Sequence, residues 1–372
     1  MNQRERFKRT MRFEPVDRAP FWDFGYWDEN LEVWKNEGLP ELVTHIEEFF
    51  GIEEWASVPV KIALCPAFKV TVFEEDERTR VVQDDEGQVK RESKVGSSIP
   101  QFISFPCKNR HDWEVIKRER FDPDSPERYP VDWDDQVKLL NAQERPVWVP
   151  IDGYFGFMRR LFGLETLSTM WYDDPQLMLD IAEHMTELRI HVLARAIKEV
   201  KIDGAAAWED MAYNKGPLMS PAMYRKFILP FYRRITAFLA DNGIDIVIVD
   251  SDGNVNELME AFIESGITGA LPFEVRAGND IREMRRKYPS FGIVGGIDKM
   301  ALLRGKEAID AELKKMKELL PLGGFIPTVD HRVPPDVPYG NYVYYIEEKW
   351  RILHDGATYK KPAGPKGRRA RQ

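Results

Sequence analysis

The chain has 372 residues and a formal net charge of −9, with 43% hydrophobic and 12% aromatic residues. This composition provides a sizeable core and excludes global disorder, and the negative charge argues against a general nucleic-acid-binding protein, which needs a basic face for phosphates. Two cysteines are too few for a disulfide framework, no apolar run approaches the roughly 20 residues of a membrane span, and the charged N-terminus lacks the apolar core of a signal peptide. We therefore expect a soluble, cytoplasmic protein.

The first 143 residues predict helices on either side of an extended region. Residues 2–12 form a short basic helix, and residues 19–24 resemble a first strand. Residues 58–98 contain several extended runs, with the turn Asp84-Asp85-Glu86-Gly87 between two of them, which predicts an antiparallel insertion. Further helices are expected over residues 31–38, 41–50, 112–120 and 133–143.

From residue 146 onwards, strands and helices alternate regularly. Strands are predicted over 147–151, 202–207, 244–249, 267–271, 291–294 and 324–327. Helices are predicted over 175–200, 222–242, 255–265, 280–288, 306–319 and 339–353. With 19–24 and a strand near 58–64, about eight βα units result, which is the count of an α/β TIM (β/α)8 barrel. An open doubly wound sheet is the alternative, but no GxGxxG or GxxxxGK[ST] motif occurs. We expect one domain over residues 1–358 and a disordered basic tail over 359–372.

Acidic residues follow the predicted strands, starting with the central strand 244–249 and its sequel Asp250-Ser251-Asp252-Gly253-Asn254. Because the strand ends of a barrel converge on one mouth, these side chains are expected to meet there. They are Asp152, Glu209, Asp210, Asp250, Asp252, Glu274, Asp298 and Asp330, together with His331. A divalent cation would relieve the repulsion among so many carboxylates. The alternatives are that Arg276, Lys215 and Lys299 neutralise them, and that the acids after the central strand only turn the chain, with Asn254 capping the next helix.

Aromatic residues are frequent near the predicted mouth loops, which favours an apolar pocket for a flat or aryl substrate. About half of them are expected to belong to the core instead. They are Trp22, Phe24, Tyr26, Trp27, Tyr154, Phe155, Phe157, Trp208 and Tyr213, the last of which begins an expected lid turn over 213–217.

Several phrases resemble the uroporphyrinogen decarboxylase (URO-D) superfamily. They are RERFKRTMRFEPVDRAPFW, GPLMSPAMYRKFILPFYRRI, SDGN after the central strand, GGIDKMALLRGKEAIDAEL, and a His near the C-terminus before a Pro-rich turn. The resemblance implies a TIM barrel with its site at the C-terminal mouth, and a homodimer. It also implies one of two chemistries: metal-free decarboxylation of a porphyrinogen, or zinc-dependent methyl transfer involving corrinoid proteins.

The chain departs from both branches at the residues that matter. The segment FWDFGYWDEN holds Asp23, Asp28 and Glu29 where the decarboxylases carry arginines for the substrate's carboxylates, an arrangement expected to repel a polyanion. Asp250-Ser251-Asp252 and Asp330-His331 stand where the zinc-dependent methyltransferases carry His-x-Cys and a later Cys. Oxygen and nitrogen ligands still suit zinc and admit harder metals.

The sequence thus favours a metal-assisted methyltransferase that moves a methyl group between a small methoxylated or methylated substrate and a corrinoid protein or thiol. Glu209, Asp252 and His331 are expected to be catalytic and to hold a divalent metal, zinc above all, with His331 as ligand or general acid. The expected substrate-binding residues are Trp22, Tyr26, Tyr154, Trp208, Tyr213 and Glu274. Alternatives are a decarboxylase or lyase for a small organic acid, a carboxylate-pair hydrolase using Glu209 and Glu274, and a binding protein without activity.

Overall fold

The structure, a computed structural model, describes residues 1–95 and 99–360, which form two compact units. The terminal unit comprises residues 1–55, 144–146 and the chain from Gly269 onwards, and the central unit comprises residues 56–143 and 147–268. The helices are α1 Gln3–Met11, α2 Glu29–Asn36, α3 Ile46–Phe50, α4 Arg110–Arg120, α5 Trp133–Ala142, α6 Phe155–Phe162, α7 Leu164–Asp173, α8 Pro175–Glu199, α9 Pro221–Phe227, α10 Leu229–Asp241, α11 Met259–Glu264, α12 Ile281–Lys287, α13 Lys299–Arg304, α14 Lys306–Leu319 and α15 Tyr339–Leu353. The strands are β1 Ala56–Ser57, β2 Thr71–Glu75, β3 Thr79–Gln83, β4 Val89–Ser93, β5 Gln101–Ser104, β6 Val147–Pro150, β7 Gly204–Trp208, β8 Ala212–Tyr213, β9 Gly216–Pro217, β10 Val247–Asp250, β11 Gly269–Leu271, β12 Gly292–Ile297 and β13 Phe325–Val329.

Parallel strands form the framework of each unit. In the central unit β1 pairs with β6, β6 with β7 and β7 with β10, and in the terminal unit β11 pairs with β12 and β12 with β13. All six residues of β12 are buried, as expected for a strand covered on both faces. Because neighbouring strands run in the same direction, their carboxyl ends lie along one edge of each sheet. The described residues thus contain seven parallel strands, against the expected eight or so.

The predicted antiparallel insertion is present in the central unit. Its four strands have the order β2-β3-β4-β5. The predicted hairpin turn joins β3 to β4, where Gly87 has a φ of 84° and donates its N–H to the Asp84 carbonyl at 3.1 Å. The sheet extends to Ser104, beyond the expected end at residue 98, which lies outside the described residues.

The predicted first strand over residues 19–24 is wrong. This segment is extended but belongs to no sheet ladder, and only an isolated bridge joins Tyr26 to Val333. Its backbone groups have partners outside any ladder: the Phe24 N–H donates to the Thr328 hydroxyl at 2.7 Å, and the Phe21 carbonyl accepts the N–H of Glu53 at 2.8 Å. The second predicted strand, near 58–64, is likewise replaced by the two-residue strand β1.

Three predicted helices differ from the structure. The helix expected over 41–50 is present only as Ile46–Phe50. The helix expected over 222–242 is interrupted at Ile228 and divided into α9 and α10, because Pro230 lies in the first turn of α10 and cannot continue a preceding helix. The helix expected over 255–265 starts only at Met259. Asn254 does not cap it, since its side-chain oxygen accepts the N–H of Asn256 at 3.1 Å in a local turn.

The longest helices follow their sequence patterns closely. Helix α8 starts at Pro175 and is capped by Asp174, whose side chain accepts the N–H of Leu177 at 2.9 Å. Helices α14 and α15 have the predicted bounds. Cys65 and Cys107 are both free and buried. Among residues 1–95 and 99–360, no helix combines the length and apolarity needed to cross a membrane. Residues 361–372 of the expected basic tail lie outside the described part of the chain.

Arg285 holds the amino ends of two strands together in the terminal unit. Its guanidinium donates to the carbonyls of Pro289, Phe291 and Gly324, each at 2.9 Å, and Arg285 is 4% exposed. Arg285→Met should remove this donor from the Pro289 and Phe291 carbonyls and leave the Gly324 carbonyl with the N–H of Ile293. It should lower the free energy of unfolding by about 2–4 kcal/mol, measured by urea denaturation. Arg286→Met on the exposed face of the same helix is the control. Equal stability of both variants would contradict this role.

Candidate active site

A completely buried carboxylate follows the last residue of β7. Glu209 is 0% exposed, and its two oxygens accept the backbone N–H groups of Tyr154 and Gly156, each at 2.8 Å. The Tyr232 hydroxyl donates to the same carboxylate at 2.5 Å. Burial raises the pKa of Glu209 and these three donors oppose the rise. The carboxylate therefore ties the loop after β6 to β7 and to α10.

The loop after β6 and the first turn of α6 pack against the β7 backbone so closely that one position in each requires glycine. A Cβ on Gly153 would lie 2.2 Å from the Trp208 carbonyl oxygen, and one on Gly156 would lie 2.5 Å from the same atom. Any side chain at either position would push the loop away from Glu209. The pattern Gly-x-x-Gly after a strand is thus explained here by close packing.

Arginines pair with the carboxylates at the ends of β6 and β7. Asp152 Oδ2 lies 2.6 Å from Arg160 and 3.6 Å from the fully buried Arg189, and Asp210 Oδ2 lies 2.9 Å from Arg159. Asp152 and Asp210 both have left-handed backbones, with φ of 54° and 48°. Non-glycine residues in this conformation cluster at functional sites, where the surrounding contacts hold the strain.

The antiparallel insertion reaches this group of charges. Glu86, in the β3–β4 turn, lies 2.8 Å from Arg160 Nε, and the Gln88 side chain donates to the Arg160 carbonyl at 3.1 Å. Burial raises the pKa of Glu86, and Arg160 opposes the rise. A cavity of about 140 Å³ lies beside the pair, also lined by Phe157 and Leu161. The insertion is therefore part of the strand-end environment of the central unit.

In the terminal unit, Asp330 accepts hydrogen bonds from two neighbouring loops. Its oxygens bind the backbone N–H groups of Val275 at 2.8 Å and Lys299 at 2.9 Å, and Lys299 Nζ donates to Glu274 at 3.2 Å. Asp330 is 1% exposed, and burial raises its pKa to about 6 against the opposing effect of Lys299. One carboxylate thus fixes the loops that follow β11, β12 and β13.

His331 lies next to Asp330 and beside two aromatic rings. Its ring centroid is 5.4 Å from that of Phe24, at 27° between planes, and 6.2 Å from that of Trp27. The Arg332 guanidinium lies 5.3 Å from the Trp27 ring centroid. Backbone hydrogen bonds from Val333 to Gly25 and from Trp27 to Val333 hold the two segments together. An imidazole next to aromatic rings can transfer a proton beside a flat substrate.

The strongly acidic mouth expected from the sequence is compensated within each unit. Of the three cations expected to neutralise these acids, Lys299 pairs with Glu274. The other cations in these contacts, Arg159, Arg160 and Arg189, were not among those expected. Arg304 lies 3.0 Å from Asp298. These arginines were missed by sequence reasoning because their helices show only an ordinary alternation of charged and apolar residues. The adjacent Arg159-Arg160 in an otherwise apolar helix is the one signal that could have indicated them.

Asp23 does not present its charge to a substrate, contrary to the expectation that it repels polyanions. It is 6% exposed, and its carboxylate binds the buried Lys349 at 3.1 Å and the hydroxyl of Tyr345 at 2.9 Å. The sequence indicated an acid in the right segment but not that helix α15 supplies its counter-ion. Asp28 in the same segment is exposed.

The structure assigns different environments to the predicted substrate-binding residues. Tyr154 lies in the core, 1% exposed, with its hydroxyl 2.7 Å from that of Thr186, so it does not face a substrate. Trp22 stacks on Trp55 at 4.3 Å. Tyr26 packs beside Trp34 at 5.5 Å, and burial raises its pKa to about 12.

Two further predicted residues are partly accessible in the central unit. Trp208 lies under the guanidinium groups of Arg159 and Arg160, at 5.1 and 4.9 Å from its ring. Tyr213 is 50% exposed at the start of a tight two-strand ribbon of β8 and β9, where a lid turn was expected. The remaining predicted residue, Glu274, belongs to the Asp330 group of the terminal unit.

Glu209, one of the three predicted metal ligands, does not fit a metal centre in this arrangement. Both of its oxygens already accept backbone N–H groups, and one of them also accepts the Tyr232 hydroxyl. In the described part of the chain, no three or more His, Cys, Asp or Glu side chains are grouped as metal ligands. Glu209 would have to give up its hydrogen bonds to bind a cation, so we derive no chemical step through a metal.

Comparisons with known proteins give one family for the sequence and a similar fold for the structure. The family model described as Uroporphyrinogen decarboxylase (URO-D) matches residues 98–348. Uroporphyrinogen decarboxylase of Geobacter sp. (strain M21) is 25% identical over 254 residues, which are 65% of this chain and 70% of that protein. The enzyme of that name from Nocardia farcinica (strain IFM 10152) is 27% identical over 189 residues, 49% of this chain and 51% of its own. A methyltransferase from Methanosarcina mazei has the same fold, with a TM-score of 0.62 at 16% identity, covering 94% of this chain and 99% of that one.

Parallel βα units with polar side chains at the carboxyl ends of their strands define an α/β enzyme of the TIM-barrel class. Within that class, the chain belongs to the uroporphyrinogen decarboxylase (URO-D) family, which confirms the resemblance and the fold class predicted from its sequence.

Glu209→Ala should be strongly destabilising, because it removes the acceptor of three buried donors. We expect the free energy of unfolding to fall by about 3–5 kcal/mol, and Tyr232→Phe, which removes one donor, to cost about 1–2 kcal/mol. Denaturant unfolding followed by circular dichroism measures both. Glu187→Ala on the exposed face of α8 is the matched control. A Glu209→Ala protein as stable as this control would refute the structural role of the carboxylate.

Asp330 should give the stability a pH dependence between about pH 4 and 6. Its folded-state pKa of about 6 lies above the unfolded value near 3.9, so the folded chain binds the extra proton in this range. Protonation of Asp330 therefore stabilises the folded chain by at most ~3 kcal/mol below about pH 4. This stabilisation is lost as the pH rises through 6. Unfolding free energies of the wild type and Asp330→Asn across this range measure it, and ¹³C NMR of the carboxyl gives the pKa directly. A pKa near 4 would contradict the burial effect.

Proposed function

We propose that the chain is a methyltransferase that acts on a small methoxylated or methylated compound, with His331 as its proton-transferring residue. The observation that carries the proposal is the position of His331 beside the rings of Phe24 and Trp27, after the last parallel strand described. Aromatic rings beside an imidazole suit a flat, mainly apolar donor such as a methoxyaryl compound. The overall likeness to a methyltransferase from Methanosarcina mazei supports the same choice at the level of the fold.

The charges at the strand ends also support a substrate with little charge. Arg159, Arg160 and Arg189 pair with carboxylates of the chain itself, and Lys299 pairs with Glu274. A substrate with many carboxylates would have to break these pairs to find cations. Each such exchange would leave a partly buried acid of the chain without its partner, which reduces the net gain from binding the substrate.

The proposed reaction needs a proton to reach the leaving atom. With a thiol acceptor, sulfur forms a bond to the methyl carbon of the donor, the carbon–oxygen bond breaks, and its electron pair stays on the aryl oxygen. The thiol proton passes through the His331 imidazole to that oxygen, which gives a phenol and a thioether. General acid–base catalysis of this kind contributes about 10²–10⁴ in rate. When a corrinoid protein is the acceptor, it supplies the nucleophile.

A decarboxylase or lyase acting on a small organic acid is the second candidate. It is favoured by the names of the relatives from Geobacter and Nocardia and by Arg332, an exposed cation beside the Trp27 ring that could bind one carboxylate. A carboxylate-pair hydrolase fits less well, because Glu209 is buried with both oxygens hydrogen-bonded.

Methyl transfer can be tested with methoxyaryl and quaternary-amine donors, using cob(I)alamin or a thiol as acceptor and following the loss of cob(I)alamin absorbance or the demethylated product. His331→Gln should lower kcat by roughly 10²–10⁴ without unfolding the protein. His111→Gln, at an exposed histidine of α4, should retain full activity.

Uroporphyrinogen and small aromatic acids belong in the same assay, with carbon dioxide release as readout. Carbon dioxide release, with methyl transfer from none of the donors, would overturn the proposal in favour of the decarboxylase. Full methyl-transfer activity of His331→Gln would remove this residue from the mechanism.

A further inference from the structure

A buried ion pair in the terminal unit binds the segment that precedes Phe24. The Lys349 ammonium is fully buried and donates to the Trp22 carbonyl at 2.5 Å and to Asp23 Oδ1 at 3.1 Å. The hydroxyls of Tyr342 and Tyr345 donate to the same carboxylate at 3.2 and 2.9 Å. Helix α15 thus supplies three donors to one acid in an irregular segment.

Thr328 extends this network to the aromatic ring beside His331. Its side chain, on β13, is completely buried; the hydroxyl donates to Asp23 Oδ1 at 3.0 Å and accepts the backbone N–H of Phe24 at 2.7 Å. The Phe24 ring faces the imidazole at 5.4 Å. A continuous path of hydrogen bonds therefore runs from Lys349 through Asp23 and Thr328 to the backbone of Phe24.

Stability alone is a poor explanation for such a network. Removing an ammonium and a carboxylate from water costs several kcal/mol for each ion, and apolar residues of similar volume commonly pack as well. Burial lowers the pKa of Lys349, which Asp23 opposes, and raises the pKa of Tyr342 and Tyr345 well above the usual range. Hydrogen bonds are directional, whereas apolar packing is not. The network can therefore fix the orientation of a segment that has no strand ladder of its own.

We propose that Thr328, Asp23 and Lys349 are positioning residues that fix the Phe24 backbone and thereby set the orientation of its ring against His331. The expected effect of these residues on the reaction rate rests on the proposed function. The contact between the two rings is a property of the folded chain and can be measured without a substrate. A displacement of about 1 Å in a substrate-positioning group can cost roughly a hundredfold in rate, so a network of this kind affects kcat from a distance.

Thr328→Val removes the hydroxyl with little change of shape, and Thr328→Ser restores it. Thr236→Val is the matched control, because the Thr236 hydroxyl is also buried and donates to the Tyr232 and Ser265 carbonyls, each at 2.9 Å, in the central unit. NMR of ¹³C-labelled histidines, assigned with His331→Gln, reports the ring-current shift of His331. Steady-state kinetics report kcat and KM.

In Thr328→Val, the His331 ring signals should lose the shift caused by Phe24, and kcat should fall by roughly tenfold to a hundredfold with a smaller change of KM. Thr328→Ser should recover both readouts, and Thr236→Val should change neither. Tyr345→Phe removes a different hydroxyl of the network and should move the His331 signals in the same direction, which keeps the test decisive if Thr328→Val fails to fold.

Unchanged His331 signals in folded Thr328→Val and Tyr345→Phe would overturn the positioning role. If the signals move as expected but no methyl-transfer activity is found with any donor, the positioning role stands and the proposed function fails. If activity falls in Thr328→Val without any change of the His331 signals, the proposed function stands and this inference fails.

Discussion

A carboxylate removed from water needs donors or a cation around it, and this requirement organises the strand ends of the chain. Glu209 meets it with two backbone N–H groups and a tyrosine hydroxyl, and Asp330 with two backbone N–H groups. Asp23 meets it with a buried lysine. In each case the donors come from segments distant in sequence, so satisfying one acid holds several loops in place.

The same requirement explains why few of these acids are available for a substrate or a cation. A carboxylate whose lone pairs are occupied by the backbone acts as a structural anchor, and its removal leaves unpaired donors in the core. In the proposed function, the proton-transferring residue of the terminal unit is instead the neighbour of such an anchor. His331 follows Asp330 directly in the chain, and its ring lies among aromatic rings.

The sequence was informative about the periodic elements and about residue types, and less so about contacts. Strong alternation of apolar strands and amphipathic helices predicted the βα units and the bounds of α14 and α15. It could not predict that residues 19–24 lack a strand ladder, because their apolar pattern is the same whether a backbone or the Thr328 side chain accepts the N–H of Phe24. Glu209 was singled out correctly as a strand-end acid, but its donors lie 23 to 55 positions away.

Charge partners were the least predictable part. Asp152 pairs with Arg160, eight residues away on the next helix, and with Arg189, which is fully buried on α8. A sequence shows how many charges of each sign a segment carries, whereas burial and direction decide which of them meet. Asp23 is an example. From the sequence it could either repel a substrate or anchor a loop, and the position of Lys349 shows that it anchors a loop.

The contact between the antiparallel insertion and helix α6 limits how the chain could be shortened. Glu86, at the tip of the β3–β4 hairpin, neutralises Arg160, whose other partner is Asp152 at the end of β6. A trimmed version without the hairpin would leave Arg160 and Arg189 to share the carboxylate of Asp152 next to Trp208, and it would open the adjoining cavity to solvent. A shortened version of this protein therefore has to keep the hairpin or replace Arg160.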